Sequence, residues 1–182
     1  MATDFRLRIW PDPILSVRCE PVNVSDLQID PIDRMIQTVH DHNALGIAAN
    51  QIGWDRRVIV ARLGDLLEVM INPMIKDRSG ARRMNESCLS IPGLVVPVTR
   101  AETITVSFNC LQCLAPHPAL TDPDHEHAGG GRRPRLELSG LEAAIVQREI
   151  DHLDGKTLAD HPHARRGANR DILAKLKAQA KL

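Results

Sequence analysis

The side chains best suited to chemistry lie in Gln147-Arg148-Glu149-Ile150-Asp151-His152. A glutamate and a histidine three residues apart make up most of an H-E-x-x-H metallohydrolase helix. That pattern sets two imidazoles one turn apart on one metal, with a carboxylate beside the metal-bound water. Here the first histidine is Arg148, whose guanidinium keeps its proton and has no lone pair for a metal. The competing reading of Arg148, Glu149, Asp151 and His152 is an ordinary charged helix patch. Two further stretches are candidates. Glu86-Ser87-Cys88-Leu89-Ser90-Ile91-Pro92-Gly93 reads as a turn with a cysteine at its centre. Gly46-Ile47-Ala48-Ala49-Asn50-Gln51-Ile52-Gly53 is small and uncharged. It suits either close approach of a backbone to a ligand or a tight helix-to-strand connection.

These residues need elements to hold them. The pattern predicts a helix over 140–155, with Ser139 as N-cap and Gly155 as stop. Leu141, Ala144, Ile145, Arg148 and His152 recur at steps of three and four, so they share one face. A second helix opens at Asp26 or Asp30 and runs to about Leu45, with Ile32, Met35, Ile36 and Val39 inward and His40 and His42 near its solvent-facing end. Strands are expected at 57–61, 66–71, 95–98, 102–108 and 135–138, with Asn72-Pro73 ending the second. The proline-rich arm 5–24 reads as extended. Residues 110–134 carry four prolines and Gly129-Gly130-Gly131 and read as a long loop insertion. Its Cys110, Cys113, His117, His125 and His127 are a candidate second zinc site, against a loop with incidental histidines. The last stretch, 168–182, reads as a basic amphipathic helix, with Ile172, Leu173, Leu176 and Ala180 on one side. It is either a solvated terminal helix or a surface for RNA.

The composition sets limits. At 182 residues the chain reads as a single domain, 1–182. Only 2% of residues are aromatic, so the core must come from Ile, Leu, Val, Ala and Met. Lys plus Arg and Asp plus Glu both number 23, which leaves no net field to recruit DNA or an acidic membrane. No apolar run reaches spanning length, and the first residues show no signal-peptide core. Four cysteines in a chain of this size fit a reducing cytoplasm better than a disulfide framework.

Taken in chain order, Gly46-Ile47-Ala48-Ala49-Asn50-Gln51, Glu86-Ser87-Cys88-Leu89-Ser90 and Gln147-Arg148-Glu149-Ile150-Asp151-His152 resemble peptide deformylase. Pro11-Asp12-Pro13-Ile14-Leu15, Pro21-Val22 and Ile71-Asn72-Pro73 are similar to that family as well, so the resemblance spans nearly the whole chain outside roughly 18 residues of the 110–134 connection. It implies an α+β fold, with antiparallel strands wrapped around a central metal-site helix. It implies a cytoplasmic hydrolase that removes the N-formyl group from N-formylmethionine of nascent polypeptides, releasing formate. It also implies a divalent metal, Fe(II) in the family, with Ni or Zn as replacements. Carried over by position, Cys88 and His152 would be metal ligands and Glu149 the general acid/base. Gln51 and the backbone N–H of Leu89 would hold the oxyanion. Gly46 would bond substrate backbone, and Leu45, Leu141, Ala144 and Ile145 would line the methionine pocket. The basic C-terminal helix would face the ribosome.

The sequence also departs from the family pattern. Arg148 stands where the resemblance calls for a third ligand, a histidine. Ala44 replaces a glycine of the first motif, and Val95 lies where some members carry an arginine. The expected function is therefore an N-formylmethionyl-peptide deformylase impaired by Arg148. The alternatives are a deformylase-like protein that binds formyl-Met peptides or the ribosome without turnover, and a metallohydrolase for another small N-acyl group.

Overall fold

A computed structural model of the chain describes residues 5–110 and 135–181, without the side chains of Val24 and Cys110. Cys113, His117, His125 and His127 lie outside these residues, so the candidate second zinc site does too. Five antiparallel strands form one sheet in the order β1-β2-β3-β6-β7. They are β1 (Gly46–Ala48), β2 (Val58–Leu63), β3 (Leu66–Ser79), β6 (Thr103–Cys110) and β7 (Arg135–Ser139). A separate two-stranded ribbon pairs β4 (Arg82–Cys88) with β5 (Ile91–Arg100). The helices are α1 (Ile29–Asp41), α2 (Gly140–Leu153) and α3 (Gly167–Gln179). Every strand of the main sheet touches α2, so the arrangement is the expected α+β one, with strands around a central helix.

Local sequence explains this packing. Val58 to Ala61 is a continuous apolar run because both faces of β2 are covered. Ile59 and Ala61 join a cluster under α2, while Val58 and Val60 join a second cluster under α1. In β6, Ile104, Val106 and Phe108 alternate inward as a half-buried strand requires. A third cluster closes the ribbon: Cys88, Ile91, Leu94, Val96 and Val98 pack on Leu158, Ala159, Ala164 and Leu173. Each large apolar side chain fully buried here is worth about 1.5–3 kcal/mol.

Several sequence expectations are corrected. Asn72-Pro73 does not end a strand. The register passes from Ile71↔Asn109 to Met74↔Ser107, so two residues oppose one and β3 runs on to Ser79. Asn72 sits at φ 51°, and its amide bonds both the N–H and the C=O of Val22 at 2.8 Å. The bulge leaves Pro73, which has no N–H, outside the regular ladder. The stretch around Cys88 is strand up to Cys88, with a turn only at Leu89 and Ser90 before β5. Gly46 to Gly53 is not a bare connection: it is β1 followed by a 3-10 turn, Ala49–Ile52. The first helix runs from Ile29 to Asp41: it opens at the Asp30 alternative, because residues 24–26 form a separate 3-10 turn, and it ends short of Leu45. Ser139 is at the N-cap of α2 but makes no side-chain cap bond. The terminal helix starts at Gly167 and ends at Gln179, which leaves Ala180 exposed beyond it.

Candidate active site

Gln51, Cys88, Glu149 and His152 converge although they come from four places: a 3-10 turn, the end of β4 and two positions on α2. The Cys88 Sγ stands 3.3 Å from His152 Nε2. Gln51 Nε2 donates to Cys88 Sγ at 3.3 Å and to Ser90 Oγ at 3.1 Å, while its Oε1 accepts from the Ala48 N–H. Backbone bonds fix this junction. The extended arm donates Arg8 N–H to Gln51 O and Trp10 N–H to Ser90 O, so one segment stitches two of the motifs together. Asn50 Nδ2 donates to His152 O at 2.6 Å, tying the 3-10 turn to α2. Gly46 is buried against Glu149, and a Cβ there would lie 3.0 Å from Glu149 Oε1.

Arg148 lies in the same space. Its Nε and Nη2 both donate to Glu149 Oε1, at 2.9 and 2.7 Å, and Nη1 reaches Ser87 O at 3.3 Å. The Glu149 side chain is 1% exposed and that of Arg148 16%. Burial pushes the Glu149 pKa above its ordinary value, while the Arg148 charge and hydrogen bonds pull it down. Arg148 holds its proton more firmly than usual: burial opposes this, but Glu149 outweighs it. Burial, reinforced by the Glu149 charge, raises the Cys88 thiol to about 11. Burial and then the Arg148 charge lower His152 to about 4. Thiol and imidazole are therefore both neutral near pH 7, with Sγ and Nε2 sharing one hydrogen bond. His152 Nδ1 is buried with no partner among the described residues.

A resident dication is tested by these donors. Two ligands on one tetrahedral ion stand about 3.5 Å apart, and the sulfur and nitrogen at 3.3 Å match that span. A third donor is missing among the described residues. Among the described residues no group of three His, Cys, Asp or Glu side chains could hold a metal. The Glu149 carboxylate, whose charge acts on Cys88, is engaged by a fixed cation. The described side chains alone do not fit a resident dication.

Of the other predicted site residues, Ala144 and Ile145 are buried on α2, Ile145 against Gly46, and Leu89 lies in the β4–β5 turn. Leu45 and Leu141 are 39% and 53% exposed, so they stand at a rim rather than on the buried face expected of Leu141. Sequence reasoning missed the polar frame. Gln147 bonds both backbone groups of Ala101. Arg100 bonds Glu86 and Asp151. Gln147, Asp151 and Glu86 lie inside the quoted motifs and could have been singled out there, while Arg100 carries no local signal.

The sequence model of the polypeptide deformylase family matches residues 5–113 and 129–167. A peptide deformylase of Alkalilimnicola ehrlichii is 40% identical over 161 residues, covering 84% of this chain and 79% of that protein. One from Dictyoglomus thermophilum is 37% identical over 150 residues, covering 82% and 86%. Among solved structures, peptide deformylase from Thermus thermophilus superposes with a TM-score of 0.76 at 33% identity, covering 96% of this chain and 98% of that one. That from Legionella pneumophila gives 0.77 at 28% identity, covering 98% of each.

Proposed function

Because the chain belongs to the polypeptide deformylase family, we propose that it is an amide hydrolase for the N-formyl group of N-formylmethionyl peptides, with turnover impaired by Arg148. The observation that carries this is the convergence of Gln51, Cys88, Glu149 and His152 on one space, with the Arg148 guanidinium against the Glu149 carboxylate. Members of this family use a divalent metal, for which Cys88 and His152 supply two donors here.

The chain's own groups support the rest of the reading. Gln51 Nε2 and the Leu89 N–H are donors for the oxyanion of a tetrahedral intermediate. Gln51 must give up one of its present partners, Cys88 or Ser90, to serve. Glu149 carries a proton from water to the leaving amine. Its pairing with Arg148 makes its carboxylate a weaker base, so the same arginine removes a donor and restrains the proton carrier. Gly46 offers close backbone access to substrate, with Ala144 and Ile145 below and Leu45 and Leu141 at the rim as the pocket for methionine. Lys175 and Lys177, exposed on the terminal helix, with Lys181 just beyond its end, are the surface for a ribosomal contact.

Formate release from a formyl-Met dipeptide tests the reading. Arg148→His is expected to raise bound metal toward one per chain and turnover by about 100-fold. No gain in either would mean that the lesion is not confined to residue 148. Binding of the peptide with no formate from any variant would make the protein a binding module.

A further inference from the structure

Glu86, Arg100 and Asp151 form an ion cluster that no step above uses. Arg100 Nε donates to Glu86 Oε1 at 2.7 Å and Nη2 to Oε2 at 2.8 Å, while Nη1 donates to Asp151 Oδ2. The Arg100 and Glu86 side chains are 11% and 5% exposed. Burial alone would loosen the Arg100 proton, but the bonds to Glu86 and Asp151 outweigh it and hold the guanidinium charged. A buried ion pair is a weak source of net stability, because desolvation offsets most of the attraction. Its placement says more. Glu86 is two residues from Cys88, and both are buried on one face of β4. Asp151 directly precedes His152 on α2.

The ribbon that carries Cys88 shares no ladder with the main sheet, and it packs largely on residues 158–173. Sheet hydrogen bonding therefore does not set the distance from Cys88 to His152. The Arg100 fork spans that gap: two donors grip the ribbon's carboxylate and the third grips the helix's. We infer that Arg100 is a positioning residue, which holds the Cys88 end of the ribbon against His152 by bridging Glu86 to Asp151. The inference rests on the proposed site, and its test separates the two.

Cysteine alkylation by iodoacetamide, resolved by peptide mapping, reads the position of Cys88 without turnover. Cys19, buried at 2%, is the internal control. Arg100→Lys keeps the charge but loses the fork. Asp151→Ala keeps the Arg100–Glu86 pair and cuts only the link to the helix. Each is expected to speed Cys88 labelling about tenfold, the effect of losing a charged hydrogen bond from a local opening equilibrium, with Cys19 unchanged. A rise in Asp151→Ala alone would be an electrostatic effect on the thiol and would overturn the inference. So would parallel rises at Cys19, which mean global loosening, or no change in either variant. If Arg100→Lys does not fold, no rise at Cys88 in Asp151→Ala overturns the inference, and a rise there counts for it only when zinc affinity falls too. In the Arg148→His background, zinc affinity read by chelator competition is expected to fall about tenfold on adding either change, as outer-shell losses do. If Arg148→His binds no zinc, the reading of the site fails while the labelling still decides the role of Arg100.

Discussion

At residue 148 a guanidinium meets a carboxylate in a space nearly closed to water, and each depends on the other. Glu149→Gln would leave Arg148 without its counter-charge. A loss of roughly 3 kcal/mol in urea denaturation is expected, and an unchanged midpoint would show that the pair contributes nothing. His152 gives a pH signature. Its pKa in the fold is lowered to about 4, so the unfolded chain binds more protons between that value and the ordinary 6.5. Stability is therefore complete above pH 6.5 and falls as pH drops toward 4, by about 3 kcal/mol at 1.4 kcal/mol per unit. His152→Asn should flatten that part of the stability–pH curve; a curve of unchanged slope would place the titration elsewhere.

Element ends are where the chain needs particular residues. Gly155 follows α2 at φ 72°, and a Cβ there would lie 2.6 Å from the Ser16 carbonyl oxygen, a backbone atom that cannot rotate away. Gly155→Ala combines left-handed strain with this overlap, so a loss of about 2–3 kcal/mol is expected in thermal unfolding. A stable alanine variant would show that the arm at Ser16 moves freely. The helix α2 and its stop were legible in sequence, because periodicity and glycine act locally. The continuation of β3 past Asn72-Pro73 was not. The bulge is held by Val22, fifty positions earlier, and no local pattern reports such a partner. For the same reason the segment around Cys88 read as a turn: its strand character comes from pairing with β5.

Across the whole molecule the site lies where three apolar clusters meet. Ile145 and Leu153 belong to the one under α2, Ala49 and Ile52 to the one under α1, and Cys88 to the one under the ribbon. Leu153 is fully buried beside His152, and its carbonyl accepts from the Cys19 N–H at 2.8 Å. Leu153→Ala should cost about 2–5 kcal/mol and lower the melting temperature; a loss under 1 kcal/mol would mean that the surroundings collapse into the cavity. No described helix is long and apolar enough to cross a membrane. The sequence by itself determined the family, the α+β class and the side chains that gather, because three motifs and their order are written along the chain. It also determined that residue 148 is a cation, since side-chain chemistry needs no fold to be known. Only the tertiary structure decided what that cation touches, that Gln51 is already bonded to the sulfur, and that Arg100 bridges ribbon to helix. Those facts depend on distances between segments far apart in sequence, which packing sets and local pattern does not encode.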